Sequence, residues 1–210
     1  MACWTMPTRV MQSIYHDLKR FRYLLCVDLE ATCDEIQVGD PSRALVVKPS
    51  EMETIEIGLV VIDLHKKQKT KSFQSFVRPH LHQVLTPFCK QLTTIAQRDI
   101  DSAPSFTDAM QRLRDFISAY DDVAWASWGS YDAVQIQRDG AINQCSAILE
   151  SIPHFNVKDW VEYDSGQRPS GLKPCIEKLG IVWDGTYHRG IDDAKNVASV
   201  VLQLLDSSTQ

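Results

Sequence analysis

Five residues in this 210-residue chain have the types and spacing to do chemistry together: Asp28 and Glu30, Asp132, and His188 with Asp193. Asp28 and Glu30 stand at the end of Tyr23–Leu29 (YLLCVDL), the most apolar run in the sequence. Residues two apart on a strand share a face, with Cα atoms about 6.6 Å apart. Two carboxylates held that way repel each other and lose hydration unless something positive lies between them, and a divalent cation is the natural partner. The plain alternative is a strand that has run out into a solvated turn. His188 and Asp193 lie in YHRGIDDAKNVASVVLQLL. With a helix starting at Asp192, residues Asp193, Val197, Val200, Val201 and Leu204 form one stripe, and Asp193 heads its core-facing side. A carboxylate there is costly unless it binds something, whereas Asp192 beside it reads as a helix cap. The loop Gly185–Gly190 can hold His188 over the same helix end. His154 and Asp159 repeat the His-x4-Asp spacing without an amphipathic helix after them, so they read as a decoy. Asp132 follows WASWGSY at a strand-to-helix turn, where α/β sheets commonly place ligands. An ordinary first-turn aspartate favoured by the helix dipole explains it equally well when it is taken alone.

The elements that must position these residues can be read from periodicity. A short helix is expected at Val10–Arg20, and Tyr23–Leu29 suits a strand covered on both faces. Residues 34–50 read as a loop. Thr54–Leu64 and Thr70–Val77 are β-rich runs joined by a basic turn, a hairpin. Thr93–Asp99 and Phe106–Tyr120 are predicted helices, the second amphipathic through Phe106, Met110, Leu113 and Ile117. Val123–Trp128 is a predicted strand. Helices should follow at Tyr131–Ile142, at Gly171–Leu179 closed by Gly180, and at Asp192–Leu205. A strand, a hairpin, then alternating strand and helix imply an α/β domain with a mixed sheet.

Composition narrows the function classes. The chain is 44% apolar and 23% charged, with 22 Lys+Arg against 27 Asp+Glu and a net charge of −5. That balance argues against a basic clamp gripping long duplexes or an anionic membrane by charge alone. No apolar run approaches the roughly 18–20 residues of a membrane span, and the N-terminus lacks a signal-peptide stretch. Cys3, Cys26, Cys33, Cys89, Cys145 and Cys175 are scattered without a C-x-x-C pair, which suits reduced thiols in a cytoplasmic or nuclear protein.

The order and context of the five residues carry a resemblance. VDLEATCDE at 27–35, WASWGSYD at 125–132 and HRGIDDAKNVA at 188–198 resemble the three motifs of the DEDDh, or DnaQ-like, 3′→5′ exonucleases. FRYLLCVDLEATC, SFVRP at 75–79, FCKQLTTI at 88–95 and EKLGIVWDGTYHRGIDDAKN resemble more closely the Eri-type branch, which trims RNA 3′ ends. Thr94 is a departure, standing where many relatives have glycine. The resemblance implies a ribonuclease H-like fold with a five-stranded mixed sheet flanked by helices, with residues 1–20 as an N-terminal extension and 21–207 as the exonuclease domain. It implies that Asp28, Glu30, Asp132 and Asp193 organise two divalent ions and that His188 is the general base. Carboxylate ligands without a thiolate favour Mg²⁺ or Mn²⁺. The expected partner is the 3′ end of a single-stranded nucleic acid, RNA before DNA, releasing nucleoside 5′-monophosphates. The same residues also suit an enzyme of DNA ends or short oligonucleotides, and the same fold suits a non-catalytic adaptor. The backbone of Ala31 and Thr32 is expected against the terminal nucleotide. Trp128 offers a stacking face for a base, with a core role as the alternative. His65–Lys71, Lys173 and Arg189 could meet phosphates, although solvated charges are the usual condition of such residues.

Overall fold

The computed structural model describes residues 14–35, 43–161 and 168–207. The first 13 residues of the expected extension, Cys3 among them, and positions 36–42 of the expected loop lie outside the described residues. The apolar run forms β1 (Tyr23–Ala31), and the hairpin forms β2 (Thr54–Asp63) and β3 (Gln68–Phe76). β4 (Val123–Ser127) and the short β5 (His154–Asn156) complete a sheet of order β3-β2-β1-β4-β5. β2 is antiparallel to both neighbours, while β4 and β5 run parallel to β1 and to each other. This is the expected five-stranded mixed sheet. β5 escaped the sequence pattern because three residues are too few to show an alternation.

Strand alternation sorts the sheet into two cores. Leu25, Val27 and Leu29 join Ile57, Leu59, Val61 and Trp125 beneath the apolar stripe of α4 (Phe106–Ile117). Leu24 and Cys26 join Val60, Ile62, Ala124 and Ala126 beneath α7 (Gly190–Ser207), whose Val197, Val200, Val201 and Leu204 make the expected stripe. A short helix at residues 14–18, α1, adds Ile14 and Leu18 to that second core. Asp28 and Glu30 continue the even-numbered face of β1. They therefore point to the α7 side, where Asp193 begins its stripe.

Two helices depart from the sequence reading. The expected Thr93–Asp99 helix is instead the junction between α2 (Pro87–Thr93) and α3 (Gln97–Asp101). Thr94 sits between them in the left-handed region at φ +59°, which ends α2. α2 begins where Thr86 Oγ1 accepts from the N–H of Cys89 and Pro87 fills the first turn. α7 starts at Gly190, two residues before Asp192, because a carboxylate from another strand takes its first N–H. Glu56 on β2 accepts from Gly190 N at 3.1 Å. Asp192 accordingly turns away from a capping role and accepts from Thr186 N at 2.8 Å. Two further helices complete the layers, α5 (Tyr131–Ile142) and α6 (Leu172–Lys178).

Candidate active site

The four acids and the histidine meet at the end of β1, brought there by different local devices. Glu30 is opposite Glu56 on β2, and the β1–β2 register then shifts between Glu30 and Ala31. That irregularity ends regular pairing beside the carboxylates, as bulges near functional sites commonly do. β4 pairs with β1 only as far as Cys26 opposite Ala126. The N–H of Leu29, past the end of that ladder, donates to Asp132 Oδ1 at 3.0 Å. Gly129 makes the turn into α5 at φ +105°, a conformation that needs glycine. A strand that stops early and a sharp turn thus deliver Asp132 to β1.

Asp193 and His188 arrive on α7 and the loop before it. Gly58 lies on the same face of β2 as Glu56, and α7 presses directly on it. A Cβ built on Gly58 would lie 2.1 Å from the carbonyl carbon of Gly190. The loop itself is anchored by Asn196, whose Nδ2 donates to Asp184 O at 2.9 Å and whose Oδ1 accepts from Asp184 N at 3.1 Å. His188 adopts φ +60°, and one of its ring nitrogens lies within 4.8 Å of carboxylate oxygens of both Glu30 and Asp193.

The electrostatics are those of buried acids gathered close together. Burial, then repulsion from Asp132, Asp193, Glu30 and Glu56, holds the Asp28 carboxyl well above its ordinary range. Burial and the neighbouring acids push Glu30 up to about 9. Asp193 rises to about 7 and Asp132 to about 6, in both cases chiefly through burial. Asp193 Oδ1 is buried and has no hydrogen-bond partner among the described residues. An acceptor-only oxygen left unpaired among four acids is what a divalent cation would satisfy. The donor set therefore fits a hard cation, with Asp28, Glu30, Asp132 and Asp193 as its holders. Burial and the nearby Lys173 ammonium lower the His188 pKa, which keeps its imidazole neutral at neutral pH.

The weaker candidates separate. Thr32 is buried, with its N–H donating to Glu53 O at 2.8 Å and its Oγ1 accepting from Glu53 N at 3.0 Å. Ala31 O accepts a weak bond from Cys89 Sγ at 3.6 Å. Trp128 packs half-buried on the α7-side core, with Lys158 Nζ 5.9 Å from its ring centroid. A groove of about 460 Å³ lined by Thr86, Phe88 and Gln91 opens beside Cys33, just beyond β1. The decoy pair is engaged elsewhere: His154 Nε2 contacts Ser127 Oγ at 2.9 Å, and Asp159 pairs with Arg168 at 2.8 Å. Arg189, considered for phosphates, instead pairs with the fully buried Glu56 at 3.0 Å. Glu56 is the functional residue that sequence reasoning missed. Its signal was a lone acid in the otherwise apolar TIEIGLVVI.

Comparison with known proteins agrees with this geometry. Residues 25–201 match the family model described as Exonuclease. The chain is 27% identical over 206 residues to rat 3'-5' exoribonuclease 1, covering 90% of this chain and 55% of that protein. It is 27% identical over 216 residues to 3'-5' exonuclease eri1 of Schizosaccharomyces pombe, covering 90% of this chain and 70% of that one. The nuclease domain of 3'hExo, a DEDDh family member bound to rAMP, superposes with a TM-score of 0.74 at 25% identity, covering 89% of this chain and 92% of that domain. The chain thus spans only about half the length of several relatives.

Proposed function

Because the chain belongs to the exonuclease family whose model spans residues 25–201, we propose that it is a divalent-metal-dependent 3′→5′ exoribonuclease releasing nucleoside 5′-monophosphates. The observation that carries the reading is the convergence of Asp28, Glu30, Asp132 and Asp193, with the unpaired Asp193 Oδ1 among them and His188 beside them. When bound, Mg²⁺ or Mn²⁺ supplies the positive charge that offsets the acids and stabilises the charge developing at the scissile phosphate. His188, neutral at neutral pH, accepts at a ring nitrogen the proton of the attacking water. The end of β1 at Ala31 and the Thr32 that follows it, together with Trp128, form the wall against which the terminal nucleoside rests. Phe88 and Gln91 offer the adjoining groove to the nucleotides before it. RNA is favoured over DNA because the rat relative is named an exoribonuclease and the 3'hExo domain is recorded with rAMP. Among the described residues no helix is long and apolar enough to cross a membrane.

The test is degradation of 5′-labelled single-stranded RNA and DNA with Mg²⁺ or Mn²⁺, with and without EDTA, beside Asp28→Ala. Stepwise shortening from the 3′ end, lost with EDTA and in the variant, is expected. Equal behaviour of wild type and variant refutes the catalytic assignment. Faster loss of DNA moves the substrate to DNA ends, and binding without turnover makes the protein an adaptor.

A further inference from the structure

A histidine acting as general base is usually oriented by a hydrogen bond from its second ring nitrogen to a carboxylate or carbonyl. His188 has no such orienter: among the described residues no hydrogen bond reaches its ring. What touches the ring instead is Tyr187. The two ring centroids lie 3.9 Å apart with planes tilted by 38°. Tyr187 is in turn braced from two other elements. Trp183 meets it edge-on, with centroids 5.1 Å apart at 88°. Lys173, on α6, places Nζ 5.2 Å from the Tyr187 centroid, within cation–π range. Trp183 itself packs on the α7-side core, so the brace leads back to fixed structure.

The backbone makes such a brace necessary. His188 is held in the left-handed region at φ +60°, and Gly185 at φ +88° lies three residues earlier in the same loop. Glu56 fixes the loop at Gly190 and Arg189, and Asp192 fixes it at Thr186. Those bonds place the backbone on both sides of His188 and leave the side-chain torsions of the imidazole free. An aromatic face stacked on the ring restricts those torsions without using either nitrogen, so both remain available to substrate and proton.

We propose that Tyr187 is a positioning residue that sets the His188 imidazole by stacking, in place of the usual hydrogen-bonded orienter. This rests on the nuclease reading and deepens it, because it names what aims the base. The phenol hydroxyl has no part in the role, so phenylalanine should serve and alanine should not.

The experiment compares Tyr187→Ala and Tyr187→Phe in the full chain on a single-stranded RNA oligonucleotide with Mn²⁺. Misplacing a reacting group by about 1 Å can cost about 10²-fold. Tyr187→Ala should therefore lower kcat by about 10–100-fold with KM within about threefold, and Tyr187→Phe should restore kcat to within about threefold of wild type. An independent reading is the NMR signal of the His188 ring protons in metal-free protein. It should move when the neighbouring ring current is removed in Tyr187→Ala and stay in Tyr187→Phe. Wild-type kcat in Tyr187→Ala, equal losses in both variants, or a loss confined to KM would each overturn the proposal. Wild-type protein inert on every RNA would overturn the nuclease reading, and the NMR comparison would still show whether the stack exists.

Discussion

Gly58→Ala is the substitution by which the geometry of this site can be tested most directly. Gly58 lies on β2, outside every motif that carries chemistry, yet its missing side chain is the surface on which α7 begins. A Cβ there would lie 2.1 Å from Gly190 C, 2.2 Å from Gly190 O and 2.2 Å from Ile191 N. Real Cβ contacts essentially never fall below 3.0 Å and ordinary ones start near 3.4 Å, so against the 2.1 Å found here the two backbones must separate by about 0.9–1.3 Å. No flexible side chain can absorb it, since all three atoms belong to the main chain. The first turn of α7 must move, carrying Asp193 and His188, which sit three and two residues from Gly190. Overpacking of this kind costs about 1–3 kcal/mol or more, which outweighs the roughly 0.4–1 kcal/mol that alanine gains by restricting the unfolded chain. For a domain of this size we expect a fall in Tm of roughly 3–10 °C. A displacement of about 1 Å at the reacting groups should lower kcat by about 10²-fold. Differential scanning fluorimetry and single-turnover RNA degradation, normalised to folded protein, measure the two effects. Gly171→Ala is the control. Its Cβ meets only Pro174, at 3.5 Å and beyond, so stability should change by less than about 1 kcal/mol and kcat should not change. A Gly58→Ala protein with wild-type Tm and kcat would refute the argument that this backbone contact sets the site.

Asp132→Asn should stabilise the metal-free protein while abolishing turnover. The Asp132 carboxyl is raised from 3.8 to about 6 in the fold, so the native state binds its proton more tightly than the unfolded chain does. The resulting penalty is absent below about pH 4, grows from there to about pH 6, and is complete above it. About two pH units at about 1.4 kcal/mol each give up to about 3 kcal/mol at pH 8 in EDTA. Asparagine can still accept from Leu29 N through its Oδ1. Denaturant melts at pH 5 and pH 8 would refute this if the gain were the same at both. Thr94→Gly should raise stability by roughly 0.5–1 kcal/mol, because a β-branched residue at φ +59° is strained by about 1–2 kcal/mol and glycine returns part of that as chain entropy. An unchanged or lower Tm in that variant would refute the strain argument.

Much of this arrangement was legible because it rests on local periodicity. The period of two in YLLCVDLEA placed Asp28 and Glu30 on one face, and the period near 3.6 after Asp193 placed that acid at the head of a core stripe. The turn into α5 was marked by Gly129, and the decoy His154–Asp159 was recognised by the helix it lacks. What stayed hidden depends on contacts between segments distant in sequence. Gly190 begins α7 because Glu56, 134 positions earlier in the chain, takes its N–H. The junction at Thr94 was obscured because threonine holds a left-handed position where glycine would have announced the break. Gly58 carries no local mark of its role, since the helix that rests on it begins 132 positions later in the chain.

The acidity of the chain has the same character: its meaning lies in where the charge sits. Four of the 27 acids are gathered at one point, and the remainder nearly balance the 22 basic residues. Glu56 is a fifth acid beside the cluster and adds to the repulsion on Asp28 and Glu30, but it has a partner of its own: Arg189 pairs with it at 3.0 Å, and Gln74 Nε2 and Gly190 N also donate to it. The fold thus supplies a cation to the acid that anchors the loop and, among the described residues, pairs none with the four acids at the end of β1. A net charge of −5 therefore does not count against a nucleic-acid partner. The negative charge is stored where a divalent cation would reverse its sign toward a phosphate, so the 3′ end would be drawn by that site and its walls and not by a basic surface.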